Sequence, residues 1–141
     1  MNATFVDTWG WCAFADRDER GHAKVVATLQ ARWSAGQSVV TTDYVIDETI
    51  TLVFRRLAFP KARRLLTTMD ASVERGFVDL QFVSPERFTA AKRLRLKYRD
   101  KPRISFTDLT SFAVMRELGL TDVITDDDHF EHVGLGFRKA I

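Results

Sequence analysis

Short apolar runs alternate with longer stretches of helical periodicity along this chain, and that alternation leaves few architectures open. Ala3 to Val6, Ser38 to Thr41, Phe77 to Val83, Val123 to Thr125 and Phe137 to Ile141 read as strands. Between them, residues 19–35 carry Val25, Val26, Leu29 and Trp33 at helical spacing, closed by Gly36. Residues 43–58 place Ile46, Ile50, Val53, Phe54 and Leu57 on one stripe, which Phe59-Pro60 ends. Pro60 suits the first turn of a further helix to about Arg75, with Leu65, Leu66, Met69 and Val73 inward. Ser84-Pro85-Glu86 opens a helix running to about Tyr98, and Ser105 or Thr107 caps another that ends at Leu118-Gly119. A short acidic turn or helix follows Thr125. Strands separated by helices predict an α/β fold with a central, mainly parallel sheet of four to five strands covered on both faces. With 141 residues, no repeat and no flexible linker, a single domain over 1–141 is expected.

Composition excludes several classes. An apolar content of 45% is too high for intrinsic disorder. The one cysteine, Cys12, sits among Trp9, Trp11 and Phe14, which rules out a disulfide framework and a thiolate zinc cage and predicts a buried, inert thiol in a reducing cytoplasm. No apolar run approaches the roughly 18 residues of a membrane span. Met1-Asn2-Ala3-Thr4 lacks the basic and apolar regions of a signal peptide, so no leader is expected. No glycine-rich phosphate loop is present.

The net charge of +2 conceals an imbalance among the acids, of which 13 are Asp and six Glu. Helix surfaces favour Glu, whereas Asp belongs at caps, turns and ligand sites. Ligands of open parallel sheets bind beyond the carboxyl ends of the strands. Asp7 follows the first strand and Asp126-Asp127-Asp128 the fourth, while Glu48 lies about two turns into one helix and Asp108 in the first turn of another. Each has a structural alternative: Asp7 as a helix cap, Asp108 as a partner of the helix dipole, Glu48 as an edge residue near Arg55, the triple Asp as a solvated turn. Together they fall where the topology predicts a site. Converged carboxylates repel unless a cation neutralises them, and an all-oxygen set selects hard divalent ions such as Mg²⁺ or Mn²⁺.

These residues resemble the PIN-domain nucleases. The likeness rests on Asp7-Thr8 after the first strand, Tyr44-Val45-Ile46-Asp47-Glu48-Thr49 in a helix, Ser105-Phe106-Thr107-Asp108 opening another, and Thr125-Asp126-Asp127-Asp128-His129-Phe130. Within that family the chain is most similar to VapC-type toxins of toxin–antitoxin pairs. The resemblance implies a three-layer α/β/α fold and metal-dependent hydrolysis of RNA by water. It makes Asp7, Glu48, Asp108 and Asp127 the catalytic and metal-binding acids, with one or two Mg²⁺ ions, Mn²⁺ being the alternative. Asp126 is the register alternative for the fourth acid: spacing from Asp108 favours it, whereas the distance to Phe130 selects Asp127. Thr125 would orient that fourth acid and Thr8 would orient Asp7. A homodimer and a cognate antitoxin are further implied, with the apolar faces of the 43–58 and 60–75 helices as candidate partner surfaces. A PIN nuclease of RNA processing and a silent RNA- or partner-binding module on the same fold are the rival readings.

Other groups fit less well. His129 and His132 lack a convincing set of co-ligands, so an exposed histidine pair is the expectation. Two basic blocks are candidates for phosphate contact: Arg55, Arg56, Lys61, Arg63 and Arg64, then Lys92, Arg93, Arg95, Lys97, Arg99, Lys101 and Arg103. Tyr98 and Phe106 flank the second block and could stack on bases, with core packing the alternative for Phe106.

Overall fold

β1 (Thr4–Val6), β2 (Val39–Thr42), β3 (Val78–Gln81), β4 (Asp122–Ile124) and β5 (Arg138–Lys139) form one sheet in a computed structural model that describes residues 3–141. Met1 and Asn2, the start of the segment read for a leader, lie outside the described residues. The sheet order is β3-β2-β1-β4-β5 and every pairing is parallel. The helices are α1 (Thr8–Ala15), α2 (His22–Ser34), α3 (Asp43–Arg56), α4 (Phe59–Glu74), α5 (Pro85–Lys97), α6 (Phe106–Leu118) and the single turn α7 (His129–His132). The chain is α/β, as the alternation predicts. Among the described residues no helix is long and apolar enough to cross a membrane.

Strand order positions the site. From β1 the chain steps outward to β2 and β3, then returns through α5 and α6 to β4 on the other side of β1. Right-handed crossovers then require α1–α4 to cover one face and α5–α6 the other. The chain therefore leaves β1 and enters β4 from opposite faces, which opens a crevice at their carboxyl ends.

Local chemistry explains most element boundaries. Ser84 Oγ accepts the Arg87 amide at 3.2 Å, and Ser105, rather than Thr107, caps α6 by accepting the Asp108 amide at 3.0 Å. Gly119 ends α6 at φ +69°, where a side chain would be strained. One helix escaped the periodicity. In α1, Trp9, Trp11, Cys12 and Phe14 surround the axis, so no polar face marks it. The helix also presses unusually close to the sheet: a Cβ on Gly10 would lie 2.8 Å from Val6 Cγ1 and 2.9 Å from the Ile124 carbonyl oxygen.

β1, β2 and β4 are buried throughout, whereas β3 is an edge strand with Asp79 exposed. Because β3 stops at Gln81, Phe82 is not drawn inward with Val78 and Leu80, and is 64% exposed. α6 is buried from Leu109 through Met115, and Phe112 meets Phe130 at 4.9 Å and Phe137 at 5.6 Å between ring centroids. This ring cluster anchors the turn after β4.

Candidate active site

Asp7 is the first residue beyond β1, and its amide still pairs with the Ile124 carbonyl at 3.1 Å. It occupies the position preceding α1, yet its side chain makes no capping bond. The carboxylate instead accepts the Thr125 hydroxyl at 2.9 Å. Burial pushes Asp7 up to about 6 against the opposing effects of the Thr8 amide and the Thr125 hydroxyl, with Glu48 and Asp127 adding repulsion. A helix-cap role thus does not account for it.

Thr125 works differently from the expectation. Its hydroxyl orients Asp7 rather than the carboxylate of the fourth acid, and its oxygen accepts the Asp127 amide at 3.0 Å. One hydroxyl thereby ties the ends of two neighbouring strands. Thr8 contributes to Asp7 through its backbone amide, while its own Oγ1 is buried with no hydrogen-bond partner.

Asp108 sits in the first turn of α6, where burial and the charges of Asp7, Asp127 and Glu48 raise its pKa well above the carboxylate range. Glu48 reaches the same cleft from α3, which touches α6 beyond the strand ends. A cleft of about 350 Å³ is lined by Asp7, Glu48, Asp108, Asp126 and Asp127. The structure therefore brings together all four primary candidates and the register alternative. Of the two neighbours, it is Asp127 whose charge acts on Asp108, and one ligand atom each of Asp108, Asp127 and His129 lie within 4.8 Å of one another. Asp126 is exposed, and Asp128 points away to Lys139. The turn is held locally, with Asp127 Oδ1 accepting the His129 amide at 2.8 Å and Phe130 fully buried behind it.

His129 is the residue that sequence reasoning undervalued. The two histidines separate, His132 staying exposed while His129 joins the acids. Its position two residues after Asp127 carried a signal only for a chain that turns there.

The basic blocks also divide. Arg56 lines the acidic cleft, and Lys61 and Arg64 line another beside Arg17 and His22. Arg95 is committed to structure: its guanidinium donates to the carbonyls of Ile104 at 2.6 Å, Lys101 at 2.7 Å and Tyr98 at 2.8 Å, bracing the loop that leads to Asp108. Tyr98 is buried, donating its hydroxyl to the Val133 carbonyl at 2.8 Å, so it cannot stack on a base. Phe106 is half-buried against Phe88 at 5.0 Å. Cys12 borders the cleft, and burial raises its thiol to about 11, as an inert cysteine requires. On α3 and α4 the inward residues are Val45, Val53, Ala62, Leu65 and Met69, while Phe54 and Phe59 remain exposed against each other.

Known proteins are similar to this chain in sequence and fold. The PIN domain family profile matches residues 4–135. The 23S rRNA-specific endonuclease VapC20 of Mycobacterium tuberculosis, from strains CDC 1551 / Oshkosh and ATCC 25618 / H37Rv alike, is 33% identical over 135 residues, covering 92% of this chain and 93% of the relative. The crystal structure of M. tuberculosis VapC20, described as a sarcin–ricin-loop-cleaving toxin, superposes with a TM-score of 0.76 at 26% identity, covering 94% of this chain and 95% of that one. The acids at the β1/β4 crevice, the matched profile and a relative alike along nearly its whole length lead to one assignment: the chain belongs to the PIN-domain family.

Proposed function

We propose that this protein is an endoribonuclease that hydrolyses RNA phosphodiester bonds with a divalent cation, and that it is the toxin of a toxin–antitoxin pair. The observation that carries the reading is the convergence of Asp7, Glu48, Asp108 and Asp127 from four separate elements on one cleft. Among the described residues no Lys or Arg forms an ion pair with any of them. Buried carboxylates left without a counter-charge are costly, and a cation relieves that cost.

The donor set fits such an ion. Asp108 and Asp127 would hold it, with Asp7 beside them and Glu48 direct or through water. A bound Mg²⁺ or Mn²⁺ supplies Lewis acidity toward water and the phosphoryl oxygens. The protein contributes position: Thr125 fixes Asp7 and the Asp127 turn, Ser105 fixes the amide of Asp108, and Phe130 anchors the turn from below. Arg56 at the cleft, with exposed Lys61, Arg63 and Arg64 beyond it, is placed to meet RNA phosphates.

The name of the relatives makes the sarcin–ricin loop of 23S rRNA the first substrate to test. Purified protein should cleave that RNA with Mg²⁺ or Mn²⁺, and chelation should stop it. Failure to cleave any RNA with either ion would overturn the enzymatic reading. The toxin reading predicts growth arrest on expression, relieved by a small protein encoded beside the gene; a homodimer in the cytoplasm is the form in which we expect it to act.

A further inference from the structure

The tightest group of candidate ligands in the cleft is not made of acids alone. One ligand atom each of Asp108, Asp127 and His129 lie within 4.8 Å of one another, and among the described residues no other trio of His, Cys, Asp or Glu does so. His129 Nδ1 is buried and stands 3.1 Å from Asp127 Oδ1, without the geometry of a hydrogen bond. Neighbouring ligands on an octahedral ion with bonds of about 2.1 Å are separated by about 3 Å, so this spacing is one that a shared ion would also impose.

The ring is also held where it stands. Its own amide donates to Asp127 Oδ1 at 2.8 Å, and the next residue, Phe130, is fully buried among Phe112 and Phe137. The backbone that carries the imidazole is therefore tied down, at its own amide to the acidic turn and at the next residue to the core. Pre-organisation of this kind is what a ligand needs and a freely solvated histidine lacks.

We propose that His129 supplies a nitrogen ligand to the ion held by Asp108 and Asp127, so that the site prefers a first-row transition ion, Mn²⁺ among them, to Mg²⁺. The proposal rests on the metal-dependent reading above and goes beyond it by adding a nitrogen to an otherwise all-oxygen set. Imidazole is taken up by first-row transition ions, least strongly by Mn²⁺, whereas Mg²⁺ keeps oxygen ligands and sheds water more reluctantly still. The competing role for His129 is an ion pair with Asp127 and no contact with metal.

Pulsed electron paramagnetic resonance on the full-length protein loaded with Mn²⁺ separates the two. Directly bound imidazole should give ¹⁴N modulation that is lost in His129→Gln and kept in His132→Gln. By titration, His129→Gln should weaken Mn²⁺ binding about tenfold or more while changing Mg²⁺ binding less than about twofold. Mn²⁺ bound without ¹⁴N modulation would overturn the role of His129 and leave the ribonuclease reading standing. Equal losses of Mn²⁺ and Mg²⁺ affinity in His129→Gln would overturn it too. No Mn²⁺ binding would overturn the role of His129, and binding of neither Mn²⁺ nor Mg²⁺ would overturn the metal-dependent reading as well.

Discussion

Asp122 and Asp7 lie at opposite ends of two paired strands, and both are buried. At the amino end of β4, Asp122 is met by Arg138 Nε at 2.6 Å and by Arg32 at 3.6 Å. At the carboxyl end of β1, Asp7 meets a hydroxyl and an amide but no cation, with three further carboxylates around it. One buried acid is answered by the protein's own arginines; among the described residues the other has no basic ion-pair partner. The comparison separates a buried charge neutralised within the fold from one left among other acids, which supports the role proposed for Asp7: depth does not distinguish them, and the partner does.

Substitution should break the symmetry most sharply. Asp7→Asn should lower metal-dependent RNA cleavage by about a thousandfold or more with the fold intact by circular dichroism, as for removal of a group that acts on developing charge. Undiminished cleavage would remove Asp7 from the site. Asp122→Asn should leave cleavage within about twofold and cost about 1 kcal/mol, because Arg138 is largely exposed and screened; chemical denaturation measures it.

The anchor below the site is the next test. Phe130→Ala should destabilise by about 3–5 kcal/mol in urea unfolding, since a fully buried ring leaves a cavity. It should also weaken metal binding by loosening the turn of Asp127.

The pH dependence of the metal-free protein sharpens the same contrast. Asp7 titrates near 6 when folded and near 3.8 when unfolded, so the folded state binds its proton more tightly. The associated stability is present below about pH 4 and is lost as pH rises through 6, by roughly 3 kcal/mol. Asp108 acts in the same direction. Thermal melts should therefore fall from pH 4 to pH 7 in chelator, and saturating divalent cation or Asp7→Asn should flatten the slope. A slope unchanged in Asp7→Asn would mean that Asp7 is not the buried acid responsible.

The smallest of these effects concerns approach rather than charge. Gly10→Ala should cost about 1–3 kcal/mol, because its Cβ would meet a backbone carbonyl that cannot swing aside. Cleavage should drop with it if the register of α1 sets the aim of Asp7.

Local rules carried the sequence reading far. Ser84, Ser105 and Gly119 act on amides and carbonyls within a few residues, so caps and helix ends could be read directly. The short apolar runs around β1, β2 and β4 announced buried parallel strands, and the acids that follow two of them pointed to the candidate site. Where a helix is apolar on every side, as α1 is, periodicity has nothing to register. Arg95 and Tyr98 looked available for RNA because a basic stretch shows its charge but not the carbonyls it will meet.

The chain by itself determined the alternation of elements, their caps and the set of acids at strand and helix ends, since each depends on neighbours within a few residues. Tertiary structure decided how those acids are arranged. Strand order set β1 beside β4, joining Thr125 to Asp7 across 118 residues, turning Asp127 rather than Asp126 toward Asp108, and bringing His129 in while leaving His132 out. Contacts between residues so far apart depend on the topology of the sheet, and of these outcomes only the choice of Asp127 was foreshadowed locally, by its spacing to Phe130.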